Sequence, residues 1–187
     1  MKKITFTFGR LNPPSTGHEL LIKKVKEIAG SSEHRIFVSS TSDPKKNPLS
    51  FERKVFWLKK MFSRYNISSD ASLKTIFQIL ERLEKDGYTD VTLVVGSDRV
   101  SEFQRVIFPY VNRIDSVKSI TLNNFQIVSA GERDPDADDV TGMSASKLRG
   151  FVKENQFTNF EKGIPNTLTY QEKYALFIEI KKAMGIK

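Results

Sequence analysis

The sequence predicts an α/β fold of three layers, with helices on both faces of a parallel, Rossmann-like sheet. Strand-like runs rich in β-branched and aromatic residues alternate along the chain with amphipathic helical patterns, as they do in βαβ units. The chain has 187 residues, of which 39% are hydrophobic, and this is enough for the core of one such domain. The apolar run at residues 91–95 indicates a strand buried at the centre of the sheet.

Four strands are predicted from short runs of β-branched and aromatic residues. The first lies close to the start of the chain, in the run KITFTF that begins at Lys3. Each later strand is followed by polar residues that indicate a loop, such as the proline-containing segment at residues 42–48. The predicted strands are residues 3–8, 35–41, 91–95 and 125–129.

Helices are predicted from apolar residues at helical spacing and from residues that cap helix ends. Ser50 and Ser72 are expected to cap two helices, and Ser97 or Asp98 a third, because short polar side chains accept hydrogen bonds from the first helical turn. Gly87 is expected to end the helix that Ser72 begins. The predicted helices are residues 19–29, 50–62, 72–85, 98–107, 144–154 and 169–184.

The remaining stretches bear on domain organisation. Residues 109–124 show no clear period, and the piece around residues 163–165, with the sequence GIP, is expected to be irregular. The length argues against two full domains. We therefore expect one Rossmann-like domain over residues 1–155 and a helical extension over residues 156–187 that packs on it.

Composition excludes several classes of function. The chain has no cysteine, so disulfides and thiolate chemistry are impossible, and a reducing cytoplasm is the natural setting. His18 and His34 are the only histidines, and no pattern of ligands for a protein-held metal is found. No apolar run approaches the ~20 residues of a membrane span, and the start MKK leads directly into a strand. We expect a cytoplasmic, unprocessed protein without a membrane partner.

The net charge of +8 is consistent with an anionic ligand. The basic residues are scattered among 22 acidic ones instead of forming one block, which argues against nucleic acid as the partner. Most of these basic residues are expected on solvated helix faces, and a small phosphorylated ligand would account for the remaining positive charge as well as nucleic acid would.

The loop at residues 9–18, with the sequence GRLNPPSTGH, joins the first predicted strand to the first predicted helix. At a helix N-terminus, backbone N–H groups lack partners and the macrodipole is positive, so bound phosphate is favoured. Gly17 removes a side chain where a ligand would approach, and His18 projects from the first turn. This loop is therefore a candidate phosphate-binding site.

Two other segments are expected at the same edge of the sheet, because ligands of open α/β sheets bind where the strands end. One is the corner GSDR at residues 96–99, which follows the central strand. The other is GMSASKLR at residues 142–149, which offers two hydroxyls, two cations and a helix N-terminus within two turns. Together the three segments predict a site for a polyphosphate.

These segments resemble the motifs of a known superfamily. The loop at residues 9–18 is similar to the (H/T)xGH motif of nucleotidyltransferases, and residues 143–149 are similar to their ISxTxxR motif. VGSD at residues 95–98 resembles the family's GxD element, and residues 47–54 resemble the segment after its second strand. The two main motifs occur in the family's order and each opens a helix, and the resemblance extends from residue 3 to about residue 155.

The resemblance implies a cytidylyltransferase-like or nicotinamide mononucleotide adenylyltransferase-like enzyme. Such an enzyme transfers a nucleoside monophosphate from a nucleoside triphosphate to a small phosphorylated acceptor and releases pyrophosphate, with Mg²⁺ carried mainly by the phosphates. The leading subclass is adenylyl transfer to a mononucleotide such as nicotinamide mononucleotide.

The resemblance also implies roles for residues. His18 would contact the α- and β-phosphates and stabilise charge in the transition state, Ser15 would take the other motif position, and Asp98 would face the ribose. The residues expected to bind the β- and γ-phosphates are Ser144, Ser146, Lys147 and Arg149. The further nucleotide contacts are Gly9, Arg10, Asn12, Pro13, Gly17 and Gly96.

Several alternatives stay open in the sequence. Ser15 stands where many family members have histidine, and Phe103 is the only aromatic residue shortly after the GxD element. The competing readings are a cytidylyltransferase acting on a phosphorylated alcohol and a non-catalytic module that binds nucleotide or nucleic acid. Lys45 and Lys46 form either a solvated pair or a phosphate contact. The acidic residues 132–139 form either a solvated loop or a magnesium-binding segment. A homo-oligomer also stays open.

Overall fold

The sheet contains four parallel strands in the computed structural model, which describes residues 1–112, 119–131 and 143–187. They are β1 (Lys3–Gly9), β2 (Glu33–Val38), β3 (Asp90–Val95) and β4 (Asn124–Ser129), in the order β2-β1-β3-β4. The chain order changes direction between β1 and β3, so the crevice expected for a ligand opens where these two strands end.

Seven α-helices occur in the described ranges, and they lie on both faces of the sheet, as the sequence predicts. None of the described helices is long and apolar enough to cross a membrane. The helices are α1 (Thr16–Ala29), α2 (Phe51–Met61), α3 (Ile76–Lys85), α4 (Val100–Ile107), α5 (Ala145–Lys153), α6 (Phe157–Lys162) and α7 (Tyr170–Ala183).

The structure corrects the ends of several elements. β2 ends at Val38 and not at residue 41, and Thr75 caps α3 where Ser72 was expected. Thr75 accepts from the N–H of Gln78, whose side chain reaches back to the cap, and this reciprocal pair outcompetes an isolated serine three residues earlier. Neither of the expected caps of α4 forms, because a single 3-10 turn at Ser97–Arg99 precedes that helix.

One helix was not predicted at all. α6 lies in the stretch expected to be irregular, and its six residues are too few to show a helical period. Its N-cap, Gln156, makes no capping hydrogen bond through its side chain, so no local signal marks its beginning. Phe160 of this helix is fully buried, which shows that tertiary packing stabilises it.

The hydrophobic core forms two clusters, one on each face of the sheet. Alternate residues of β3 point to opposite clusters: Leu93 packs with α3 and α4, and Val94 packs with the helices of the other face. That second cluster combines α1 and α2 with the C-terminal helices α5, α6 and α7. The C-terminal part of the chain thus shares a core with the beginning of the domain, and this brings α5 close to α1.

Candidate active site

A cavity of about 510 Å³ opens where the strands end, a volume typical of sites for small molecules. The ends of β1 and β3 form its floor, and the first turns of α1 and α5 form part of its wall. The sequence-predicted residues that line it are Gly9, Arg10, Asn12, Gly17, His18, Lys46, Gly96, Asp98, Ser144, Ser146 and Arg149.

His18 is held by the cap of its own helix. The backbone N–H of Ser15 donates to Nδ1 of His18 over 3.1 Å, and Oγ of Ser15 lies 2.9 Å from the same nitrogen. Because Nδ1 accepts the backbone N–H, the neutral ring carries its proton on Nε2. Ser15 is itself fully buried and does not line the cavity, so its geometry suits orientation of the imidazole.

Gly17 brings the two helix starts together. A Cβ atom at this position would lie 2.7 Å from the carbonyl oxygen of Met143, which is backbone and cannot move aside easily. Thr16 is tied to the C-terminal part of the chain as well, because its N–H donates to the carbonyl of Gly163 over 2.9 Å. The expected reason for the glycine was the approach of a ligand, whereas the structure shows contact between the two motifs.

Arg149 connects α5 with the loop before α1. Its Nη1 donates to the carbonyl of Asn12 over 2.7 Å, and its Nη2 donates to Oγ of Ser146 over 3.0 Å. The start of α5 is capped by Ser144, whose Oγ accepts the N–H of Lys147. The guanidinium is therefore oriented at the cavity wall by two neutral oxygens.

Asn12 clamps the loop that carries these contacts. Its side-chain amide donates to the carbonyl of Leu49 and accepts the N–H of the same residue, at 2.9 and 3.0 Å. Pro13, the next residue, is buried and lies outside the cavity wall. The loop at residues 9–18 and the segment after β2 are thus joined by a buried pair of hydrogen bonds.

The cavity is strongly electropositive near the end of β1. Burial and the neighbouring charge of Arg10 lower the pKa of the Arg149 guanidinium, which nevertheless stays charged near neutral pH. Lys54, below the end of β2, has its pKa lowered to about 8 by burial and by Arg10. Arg10 is therefore close enough to both Arg149 and Lys54 to affect them, and an anionic ligand would relieve this repulsion.

The other wall follows β3. Gly96 and Asp98 line the cavity, and a Cβ atom on Gly96 would lie 2.7 Å from Oδ1 of Asp98, so the glycine leaves room for this carboxylate. Arg99 and Phe103 line the same wall, and the guanidinium carbon of Arg99 lies 5.4 Å from the centre of the Phe103 ring. Sequence analysis includes Arg99 in the corner at residues 96–99 without assigning it a role, and it does not place Phe103 in the site, although a spacing of four puts the two residues on one helix face.

Some predicted residues lie elsewhere. Lys147 is half-buried and is not among the residues that line the cavity, and its phosphate contact stays a prediction. Lys45 is exposed beside Lys46, and the N–H groups of both donate to the carboxylate of Asp43. The acidic residues 132–139, and Gly142 before the second motif, lie outside the described residues.

Ser39 and Asn47 also line the cavity and were not predicted as site residues. Both are buried, and among the described residues no hydrogen-bond partner is found for Oγ of Ser39 or Oδ1 of Asn47. The only sequence signal for Ser39 is its place directly after β2.

Within the described ranges, no group of three histidine, aspartate or glutamate side chains could hold a metal ion.

Comparison with known proteins gives a likeness in structure alone. No protein-family model matches the sequence, and a comparison with curated protein sequences finds no match. The solved structure of Plasmodium falciparum nicotinic acid mononucleotide adenylyltransferase complexed with NaAD matches with a TM-score of 0.62 and 17% identity, over 95% of this chain and 98% of that one. The same enzyme complexed with APC matches with a TM-score of 0.62, 18% identity and the same coverage.

These matches extend over nearly the whole of both chains. They confirm the three-layer α/β fold that the sequence predicts. The chain has the fold of nicotinic acid mononucleotide adenylyltransferase.

Proposed function

We propose that this protein is a nucleotidyltransferase that transfers the adenylyl group of ATP to a mononucleotide such as nicotinamide mononucleotide, with release of pyrophosphate. One observation carries the proposal: the N-termini of α1 and α5 meet at a single cavity that His18, Arg10 and Arg149 also line. Two helix N-termini and two guanidinium groups suit a polyphosphate. The fold shared with an adenylyltransferase supports the same conclusion.

The triphosphate would lie between the two helix starts. Arg149 presents a planar fork of donors that is already oriented by Asn12 and Ser146, so little side-chain freedom is lost when phosphate binds. Asp98, on the opposite wall, is placed to accept hydrogen bonds from the hydroxyls of a ribose. In this arrangement the α-phosphate lies near the end of β1 and the first turn of α1.

The reaction forms a bond between an oxygen of the acceptor's phosphate and the α-phosphorus of ATP. The bond from the α-phosphorus to the bridging oxygen breaks, and pyrophosphate leaves with the electron pair. The acceptor is already an anion, so no strong base is required, and orientation together with stabilisation of charge dominates catalysis. The Nε2–H of His18 would donate to the charge that develops on the phosphate oxygens, while Ser15 fixes the tautomer.

We further propose that Mg²⁺ is carried mainly by the substrate's phosphates, as the resemblance of the two motifs to those of nucleotidyltransferases implies. Its chemistry there would be to neutralise charge on the leaving pyrophosphate. The proposed cellular setting is the cytoplasm, which suits a protein that acts on small phosphorylated substrates.

The test is a panel that combines each of the four nucleoside triphosphates with phosphorylated acceptors, and measures release of pyrophosphate with magnesium present. We expect release with ATP together with nicotinamide or nicotinic acid mononucleotide. Release with CTP and a phosphorylated alcohol would instead establish a cytidylyltransferase. No release with any pair, together with tight binding of nucleic acid that weakens steeply with salt, would establish the non-catalytic module.

A further inference from the structure

Lys54 is a buried cation close to the cavity. The residue lies in α2, is 0% exposed, and its Nζ donates to the backbone carbonyl of Ser39 over 2.6 Å. In the part of the chain that the structure describes, Lys54 forms no ion pair with a carboxylate. Lysine is rarely buried without a counter-charge, because removal of an ammonium group from water costs several kcal/mol.

The surroundings of Lys54 increase this cost. The charged group that acts on it is Arg10, another cation, which lines the cavity. Ser39, which accepts the hydrogen bond from Lys54, lines the same cavity and has a buried Oγ without a partner among the described residues. A methionine of similar length would fill the space without the electrostatic penalty. Burial of Lys54 therefore lowers the stability of the fold, and this loss of stability indicates that the residue has a function.

We propose that Lys54 is a positioning residue for a phosphate group of the substrate: it holds the Ser39 carbonyl at the cavity wall, and its charge is balanced by the anion that binds beside Arg10. The inference rests on the proposed function, because it takes a phosphorylated ligand as the occupant of the cavity. Lys54 does not line the cavity, so it acts through Ser39 and through its electric field.

A consequence is that binding of phosphate takes up a proton. The pKa of Lys54 is lowered to about 8, so the ammonium is only partly protonated in the unliganded protein at pH 8. A bound anion favours the charged form and raises this pKa. Affinity for phosphate should then fall as the pH rises through 8, by about tenfold over the whole transition for each unit by which the ligand raises the pKa.

The test compares Lys54→Met with Lys59→Met, which removes a lysine from the exposed face of the same helix. Isothermal titration at pH 8 in two buffers of different ionisation enthalpy measures affinity and proton uptake. The probes are inorganic triphosphate for the donor tail and nicotinic acid mononucleotide for the acceptor phosphate. We expect Lys54→Met to weaken at least one probe about tenfold, to take up fewer protons on binding, and to melt at a higher temperature than wild type.

The two probes distinguish whether Lys54 acts on a phosphate of the donor or on the phosphate of the acceptor. Weaker binding of triphosphate alone assigns it to the donor, and weaker binding of the mononucleotide alone assigns it to the acceptor. Wild-type affinity and proton uptake in Lys54→Met overturn the inference, as does an equal loss in Lys59→Met. Failure of wild-type protein to bind either probe would overturn the proposed function instead.

A second variant covers the case in which Lys54→Met does not fold. Lys54→Arg keeps the charge, and a guanidinium does not lose its proton near pH 8. This variant should bind the same probe within a few-fold of wild type and no longer take up the proton that Lys54 takes up. Unchanged proton uptake in Lys54→Arg would overturn the inference.

Discussion

Charged side chains at the two edges of the sheet have different kinds of partner. At the edge where the strands begin, Glu33 pairs with Arg35 and accepts a hydrogen bond from the hydroxyl of Tyr88. At the edge where the strands end, Lys54 and Arg149 donate to neutral oxygens. Charges at the first edge are paired within the protein, whereas in the described ranges neither Lys54 nor Arg149 forms a salt bridge with a carboxylate. This difference separates a structural cluster of charges from the site that we propose for an anionic ligand.

The largest expected effect is on turnover in His18→Ala. If the Nε2–H of His18 stabilises charge in the transition state, its loss should lower kcat on the order of 10²–10³-fold and leave the affinity for ATP nearly unchanged. Steady-state kinetics and titration calorimetry on the same protein measure both quantities. Near-normal turnover would remove His18 from catalysis, and a large fall in melting temperature would show that its bonds to Ser15 serve the fold.

ATP with magnesium should stabilise the fold. A ligand present at ~100 times its dissociation constant adds roughly 2.7 kcal/mol to the free energy of unfolding, because it binds only the native state. Urea unfolding with and without nucleotide measures this difference. If no nucleoside triphosphate stabilises the fold, the edge of the sheet where the strands end does not bind polyphosphate.

A smaller effect is expected in Arg149→Lys. The substitution keeps the charge but loses the planar fork that contacts Asn12 and Ser146, so affinity for triphosphate should weaken by about tenfold. Arg35→Lys is the matched control at the opposite edge and should bind triphosphate as wild type does. Lys147→Ala tests the prediction that Lys147 contacts the triphosphate. A loss of affinity as large as that of Arg149→Lys would show that Lys147 contacts the ligand although it lies outside the cavity wall.

Tyr88→Phe should have the smallest effect, and only on stability. Loss of the hydrogen bond to Glu33 should cost about 1 kcal/mol in urea unfolding at pH 7, with turnover unchanged. Burial and the bond to Glu33 raise the pKa of Tyr88 from 10.0 to about 12. The hydroxyl therefore stabilises the fold fully below pH 10, and this stabilisation declines as the pH rises through 12. A constant difference between the two proteins across that range would contradict the assignment.

Much of the fold could be predicted from sequence because its signals are local. The four strands were each located to within a few residues, and Ser50 was identified as the cap of α2 from its own chemistry. The prediction failed where local signals competed or were absent, as with Ser72 against Thr75 and with α6. In those cases a reciprocal hydrogen bond or a buried phenylalanine decided the outcome.

The sequence by itself determined the alternation of strands and helices, the loop at residues 9–18 and the order of the two motifs, because each depends on residues close together in the chain. Tertiary structure alone decided that Gly17 packs against Met143, that Asn12 clamps Leu49, and that Lys54 is buried beneath the cavity. Such contacts join residues far apart in the chain. Burial and the distance between charges exist only once the helices have packed on the sheet, so no local pattern could show them.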